Sequence, residues 1–489
     1  MIWTKEKRYR RIEEASQEEL LKLRSEVNGC KWRQSYHIQP ETGLLNDPNG
    51  FSYFNGEYHL FYQWFPLGPV HGLKYWYHTK SKDLVHWENV GIGIEPTTAY
   101  DSHGAYSGSA IEHEGKLYLL YTGNTRDDNW VRHPFQCMAI MDQSGEIVKL
   151  ERPVIDRVPA GYTDHFRDPK IWKEGNEFFA VIGAQRLNET GCVVLYRSED
   201  LLHWAFAGEI STSLENFGYM WECPDYFTLQ DKGVLIFSPQ GIEPKGDQFE
   251  NIYQSGYVLG SQLVPNQLSL SHGSFYELDR GFDFYAPQTM VNPDGRRILV
   301  GWMGLPEIEY PTDKNGWAHC LTLPRELSIK EGKLIQQPVK ELQTLRGQQY
   351  EANAVLADES RGFAGFSGTA YELIAEFADF DASKFGIEFR VGKDEKTVVQ
   401  YDAVQKKVIL DRTNSGEVVG EDYGTVRKCS LDAPVIKFHL FVDVSSVEIF
   451  INDGEEVFTS RIFPKEDSHG IRFFATGGKA NLCAVKFEV

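Results

Sequence analysis

The segment Asn46-Asp47-Pro48-Asn49-Gly50-Phe51-Ser52-Tyr53-Phe54-Asn55-Gly56-Glu57-Tyr58-His59-Leu60-Phe61-Tyr62-Gln63 decides the fold, because the chain repeats its layout. A polar or proline-containing start leads into a short apolar run, a glycine turn, and a second aromatic-aliphatic run; these are strand and turn signals. Four later segments follow the same plan: YSGSAIEHEGKLYLLYTG (106–123), RDPKIWKEGNEFFAVIGA (167–184), CPDYFTLQDKGVLIFSP (223–239) and APQTMVNPDGRRILVGW (286–302). Gly56, Gly115, Gly175, Gly233 and Gly295 read as the turn glycines, spaced by 59, 60, 58 and 62 residues. A second echo, Ser81–Trp87 (SKDLVHW) against Ser198–Trp204 (SEDLLHW), falls between the hairpins. Units of this size cannot bury their own faces, so near-constant spacing predicts a radial arrangement, a five-bladed β-propeller. A single long antiparallel sandwich would require the spacing to be coincidence.

On either side of the repeats the texture changes. Residues 1–30 are charged and helix-prone, with Leu20, Leu21 and Leu23 as the apolar contribution. The repeats place the propeller over residues 31–336. After Pro338 a short helix-like linker is predicted over 337–351. From 352 to 489 strand patterns return without the period. Lys437 to Ile451 alternates and closes in Asn452-Asp453-Gly454, a strong hairpin signal. The expected fold class is therefore all-β: a short N-terminal helical segment, the propeller, and a C-terminal β-sandwich.

At 489 residues the chain exceeds one ordinary core, so two domains are expected. Hydrophobic residues at 41% and charged residues at 25% suit a globular protein, and a net charge of −20 argues against nucleic acid as partner. The seven cysteines show no CxxC spacing, which argues against a zinc site or a disulfide framework. No apolar run reaches membrane-spanning length and no signal-peptide pattern is visible, so the expectation is a cytoplasmic protein without a membrane partner.

Overlaying the repeats brings out the chemistry. At or just before the first strand of copies one, three and four stand Asp47, Asp168 and Glu222. In a propeller these strands lie nearest the axis, so three carboxylates converge on one pocket. Each motif alone reads as a turn, a surface ion pair or a strand cap. Their shared position points instead to the paired carboxyls of glycoside hydrolysis, since clustered like charges are costly without a function. Asn46, Asn49 and turn N–H groups are expected to donate to an ionised, nucleophilic Asp47. Arg167 is expected to keep Asp168 charged. Glu222, among apolar neighbours and near two carboxylates, is expected to have its pKa pushed upward, as an acid requires.

YHIQPETGLLNDPNG (36–50), FYQWFP (61–66), YSGS (106–109), FRDP (166–169), ECPD (222–225), DFYAPQ (283–288) and GWMG (301–304) together resemble glycoside hydrolase family 32, in the family's order and over nearly the whole chain. The family comprises invertases, levanases, inulinases and sucrose-6-phosphate hydrolases, and the sequence is most similar to the bacterial sucrose-6-phosphate hydrolases. The resemblance implies Asp47 as nucleophile, Asp168 as transition-state stabiliser and Glu222 as acid/base. It also implies a fructosyl pocket lined by Asn46, Gln63, Tyr106, Ser107, Arg167, Tyr285 and Trp302, with no metal or cofactor. Family members retain configuration, so the two carboxyls are expected roughly 5–5.5 Å apart.

One stretch departs from many relatives: after FYQWFP, Pro69-Val70-His71-Gly72-Leu73-Lys74 carries a potentially cationic pair where a Trp is common. With Arg126, Arg132 and His133 behind YTGN, His71 and Lys74 are candidates for binding a phosphate, which favours Arg and Lys. The expected substrate is thus sucrose 6-phosphate. Unphosphorylated sucrose, fructosyl transfer and a non-catalytic sugar-binding propeller are the alternatives. The C-terminal sandwich resembles a support or dimerisation module, which makes a homo-oligomer the candidate assembly.

Overall fold

The five quoted hairpins become the innermost strand pairs of five separate sheets. This is seen in a computed structural model that describes residues 2–489. The innermost strands are β1 (Gly43–Phe54), β2 (Ala105–His113), β3 (Tyr162–Glu174), β4 (Met220–Leu229) and β5 (Tyr285–Val291). Each packs against the next, and β5 packs against β1, which closes the fivefold ring expected from the repeats. A short clasp completes the closure: Trp317–Ala318, from the end of the ring, pairs in parallel with Gly43 and Leu44.

The two SxDLxHW echoes fold alike. Asp83 and Asp200 each accept the N–H groups two and three residues ahead and the following His side chain, while Trp87 and Trp204 donate to Leu84 O and Leu201 O. Both leucines adopt positive φ, near +67° and +66°. The Asx turn holds them in that unfavourable conformation and leaves them fully buried.

One turn differs from expectation. Gly56, Gly115, Gly175 and Gly295 have positive φ, but in the fourth repeat Gln230 and Asp231 take that role. Gly233 sits on the following strand, where a Cβ would lie 2.4 Å from Ser261 O. That glycine is set by close backbone approach, not by the turn.

The C-terminal strands form one continuous ladder that folds over its own core of Leu373, Phe385, Ile387, Phe438, Leu440, Ile449 and Phe473. The shared element is the 19-residue strand Gly470–Glu488. Its first half pairs with Lys384–Val391 and its second with Tyr371–Ala378, so one strand serves both layers of the sandwich. Gly477 and Gly478, with φ of +70° and +136°, make the corner between the halves. The alternation read over 437–451 is interrupted by a turn at Val444-Ser445, and Asn452-Asp453-Gly454 then closes the next hairpin with all three residues at positive φ. The expected linker contains a single 3₁₀ turn, Lys340–Leu345, and the next strand starts at Gln349, ahead of position 352.

At the N-terminus, α1 (Lys5–Arg8) precedes α2 (Gln17–Asn28), which Ser16 caps. Val27 of α2 is buried with Trp317, but Leu21, expected among the apolar residues, is 65% exposed. No helix among the described residues is long and apolar enough to cross a membrane.

Candidate active site

All five inner strands break register at one height. The irregularities fall between Leu45 and Pro48, Ala105 and Gly108, Arg167 and Lys170, Glu222 and Asp225, and Tyr285 and Gln288. A bulge places an extra residue on one strand and re-aims its side chain. Here the bulged positions hold Asn46-Asp47, Tyr106-Ser107, Asp168, Cys223 and Ala286, and the last three adopt positive φ. Prolines 48, 169, 224 and 287 follow directly; a residue without an N–H is tolerated where the ladder is already interrupted. These prolines line the axis below the carboxylates, where free volume shrinks to 10 Å³, room for about one water.

Below the bulges, polar groups tie neighbouring blades; of these the sequence points to Asn49 alone, and in another role. Gly108 N–H donates to Asn49 Oδ1, Gln288 accepts from Phe51 N–H and donates to Gly108 O, and Ser109 joins Pro169 O to Ile171 N–H. Asp225 accepts from Thr289 and pairs with Lys170 at 3.1 Å.

The three carboxylates converge. Asp47 accepts from Asn46 Nδ2 at 3.1 Å, from Ser107 Oγ, and more distantly from Gln63 Nε2 at 3.4 Å. Gln63 also bonds Asn46 and Ser107, so the four polar side chains form one fixed set. Asn49, expected to donate to the carboxylate, instead donates to the Asp47 backbone carbonyl. Cys223 links the trio: its Sγ lies 3.5 Å from Asp47 Oδ2, its N–H donates to Asp168 Oδ2 at 3.0 Å, and Glu222 is its chain neighbour.

Arg167 corrects the expected pairing. Its Nε and Nη2 donate to Glu222 Oε1 at 2.9 and 2.6 Å, whereas Asp168 is 3.9 Å away. Glu222 Oε2 receives Tyr285 Oη at 2.7 Å and Gln240 Nε2 at 2.9 Å. Left with less help and 5% exposed, Asp168 has its pKa raised to about 7, by burial first and by the neighbouring Glu222 and Asp47 charges against the pull of Arg167. Burial, with the Glu222 charge, also raises Asp47, opposed by the Ser107 and Asn46 hydrogen bonds. Asp47 and Asp168 thus hold protons more tightly than isolated carboxylates would. Burial is the first cause of the Asp168 shift, and Arg167, whose two hydrogen bonds go to Glu222, offsets it only in part.

Trp302 and Tyr285 stand edge-on with ring centres 6.0 Å apart beside this cluster. Tyr106 lies at its rim, with the Arg132 guanidinium 5.9 Å from the ring centre. The five cationic candidates do not assemble. Lys74 is buried beneath the trio, donates to Asn46 Oδ1 at 2.7 Å, and has its pKa lowered to about 7 by burial, opposed by Asp47. His71 packs edge-on against Trp302 at 5.9 Å, and burial drives it far below the ordinary histidine value, so it is neutral. His133 is on the surface, 3.4 Å from Asp127. Arg126 and Arg132 do meet. They line a cavity of 430 Å³ with Trp130, Val131, Thr163, Asp164 and His165. Their buried Nε atoms have no hydrogen-bond partner among the described residues. His165 connects this cavity to the carboxylates, with Nδ1 3.2 Å from Arg167 Nη1. His165, Gln240 and Cys223 were not anticipated; Cys223 alone carried a hint, as the residue following Glu222.

Comparison with known proteins identifies the family. Residues 37–338 match the N-terminal domain of glycosyl hydrolases family 32, and residues 341–489 match that family's C-terminal domain. The chain is 48% identical to a sucrose-6-phosphate hydrolase of Staphylococcus xylosus, over 100% of this chain and 98% of that one. It is 42% identical to a sucrose-6-phosphate hydrolase of Bacillus subtilis (strain 168), covering 94% and 95% of the two chains. Among solved structures, sucrose-6-phosphate hydrolase from Lactobacillus gasseri superposes with a TM-score of 0.94 at 38% identity, covering 100% of this chain and 99% of that one. A beta-fructofuranosidase of Bombyx mori superposes at 0.83 with 34% identity, covering 98% and 99%. The chain belongs to glycosyl hydrolase family 32.

Proposed function

We propose that the chain hydrolyses the β-fructofuranosidic bond of sucrose 6-phosphate with retention, giving glucose 6-phosphate and fructose. The observation that carries this reading is the position of the Arg126–Arg132 cavity, one side chain away from three converging carboxylates. Sugar chemistry and phosphate recognition then share one mouth.

In the first step Asp47 attacks the anomeric carbon of the fructosyl unit while Glu222 gives its proton to the glycosidic oxygen, and glucose 6-phosphate departs. The fructosyl ester left on Asp47 is cleaved by a water whose proton returns to Glu222. Asp168 accepts hydrogen bonds from fructosyl hydroxyls and stabilises the positive charge of the transition state. The Asn46–Gln63–Ser107 set fixes the Asp47 carboxylate, and Tyr285 and Gln240 orient Glu222. Lys74, placed against Asn46, supports the nucleophile instead of a phosphate. Arg126 and Arg132 take the phosphate, since no salt bridge ties either to a carboxylate among the described residues, although Asp164 lines the same cavity. A phosphorylated sugar is retained inside cells, which places the working enzyme in the cytoplasm.

The test compares kcat/KM for sucrose 6-phosphate and sucrose. Two charge-assisted contacts predict a preference on the order of 100-fold or more for the phosphorylated substrate. Equal values would leave a plain β-fructofuranosidase and remove the phosphate assignment.

A further inference from the structure

Residues ahead of the family-matched region, which starts at residue 37, pack against Trp130 in the wall of the mouth just described. α1 has four residues, too few to persist as an isolated helix. It is held by the loop that follows FYQWFP: Leu73 N–H donates to Arg8 O at 2.7 Å, and Arg8 Nη1 donates to His71 O at 2.8 Å. Trp3 stands edge-on to Phe65 with centroids 6.0 Å apart. Two glycines admit this strap. A Cβ at Gly68 would lie 2.0 Å from the Trp3 ring, and one at Gly72 2.3 Å from Arg8 O. The stretch 69–74, which carries the His71 and Lys74 candidates, is together with Gly68 the strap's dock.

From this dock the strap reaches the cavity. Tyr9 is edge-on to Trp130 at 5.1 Å and tilted against His103 at 5.5 Å, while Lys5 Nζ lies 3.1 Å from the Trp130 ring centre. Trp130 adopts φ of +67°, a strained conformation for a bulky residue, and its carbonyl accepts from Arg126 Nη1 at 3.1 Å. Burial pushes the Tyr9 phenol up to about 12; Tyr106 adds to the shift, and Arg126, Arg132 and Arg8 oppose it. Tyr9 thus packs directly behind Trp130, which lines the cavity and whose carbonyl holds Arg126.

We propose that residues 3–9 form a wall of the leaving-group subsite and that Tyr9 is a specificity-determining contact for the phosphorylated glucosyl half of the substrate. The inference rests on Arg126 and Arg132 holding the phosphate. Beside them, a phenol O–H can donate to a phosphate oxygen, and Lys5 at the rim adds positive potential.

The test uses the full chain carrying Tyr9→Phe, with Arg126→Ala and Arg132→Ala in parallel, assayed on sucrose 6-phosphate and on sucrose, with melting temperatures as the control for folding. Loss of one hydrogen bond to a charged group predicts a fall of roughly 10- to 100-fold in kcat/KM for sucrose 6-phosphate, mainly through KM, and at least about fivefold less loss on sucrose. Tyr9→Leu should fall further on the same substrate. Equal losses on both substrates, or none on either, overturn the inference. If the arginine variants lose phosphate preference while Tyr9→Phe keeps it, the strap reading alone fails. If the wild-type protein shows no preference, the phosphate reading fails and takes this one with it.

Discussion

Replacing His37 by Gln tests the joint between propeller and sandwich, where a fully buried imidazole bridges two carboxylates of the C-terminal domain. His37 Nδ1 is 2.8 Å from Asp443 and Nε2 is 3.0 Å from Glu448, with all three side chains at 0% exposure. Glu448 also takes Arg325 at 2.6 Å, and Asp443 accepts the N–H groups of Ser35 and Tyr36. Burial alone would lower the imidazole pKa, but the two carboxylates overcome it and raise the value from 6.5 to about 9. The sign follows from linkage. A group raised on folding stabilises fully below its unfolded pKa and loses that contribution as pH rises through the folded one. Between pH 6.5 and 9 the shift is worth about 3 kcal/mol, close to the 3–5 kcal/mol cost of removing one partner from a buried ion pair. Denaturant unfolding of wild type and His37→Gln at pH 6.5 and 9.5 is the assay. The variant should be less stable by about 3 kcal/mol at pH 6.5, and the gap should narrow at pH 9.5, where wild type has lost the proton too. A gap below about 1 kcal/mol at pH 6.5, or one that does not change with pH, would refute the charged bridge.

Other substitutions bear on the site. Asp168→Asn removes a buried group whose pKa is raised to about 7, so ionisation penalises the native state as pH rises from the ordinary carboxylate range through neutrality. Its melting temperature should exceed wild type by a few °C at pH 8, on the order of 1–2 kcal/mol, with a smaller gain at pH 5 and turnover abolished at both. Lys74→Met should lower kcat by roughly tenfold or more on sucrose and sucrose 6-phosphate alike, because Lys74 acts on Asn46 and Asp47; a loss confined to the phosphorylated substrate would restore it as a phosphate ligand. His133→Ala should change kcat/KM by less than about twofold, since its exposed pair with Asp127 faces solvent, whereas the double Arg126→Ala/Arg132→Ala variant should raise KM for sucrose 6-phosphate roughly 100-fold.

The ring was legible because propeller blades repeat both a length and a turn chemistry. Asp47, Asp168 and Glu222 were legible because equivalent repeat positions become equivalent heights on one axis. The bulges were not read, although Asp47-Pro48, Asp168-Pro169, Cys223-Pro224 and Ala286-Pro287 carry their trace: proline recurs where the ladder is broken. Charge partners were harder. Arg167 precedes Asp168 in sequence, yet alternation along a strand sends neighbouring side chains apart, and Arg167 reaches Glu222 on the adjacent blade. Lys74 and His71 had the chemistry of phosphate ligands, but burial decided their roles, and burial at that loop depends on an N-terminal strap without any repeat to reveal it. Sequence periodicity reports positions along elements; it does not report which blade a long side chain will touch.

The assignment of Asp47 as nucleophile is tested most directly by trapping its ester. β-D-Fructofuranosyl fluoride has a leaving group that needs no proton, so Glu222→Ala should complete the first step and then stall for want of a base. Mass analysis of the digested protein should show one fructosyl unit on the peptide containing Asp47, and none after Asp47→Ala is added. A fructosyl unit on the Asp168 peptide, or its absence from every peptide while fluoride is still released by Glu222→Ala, would contradict the account.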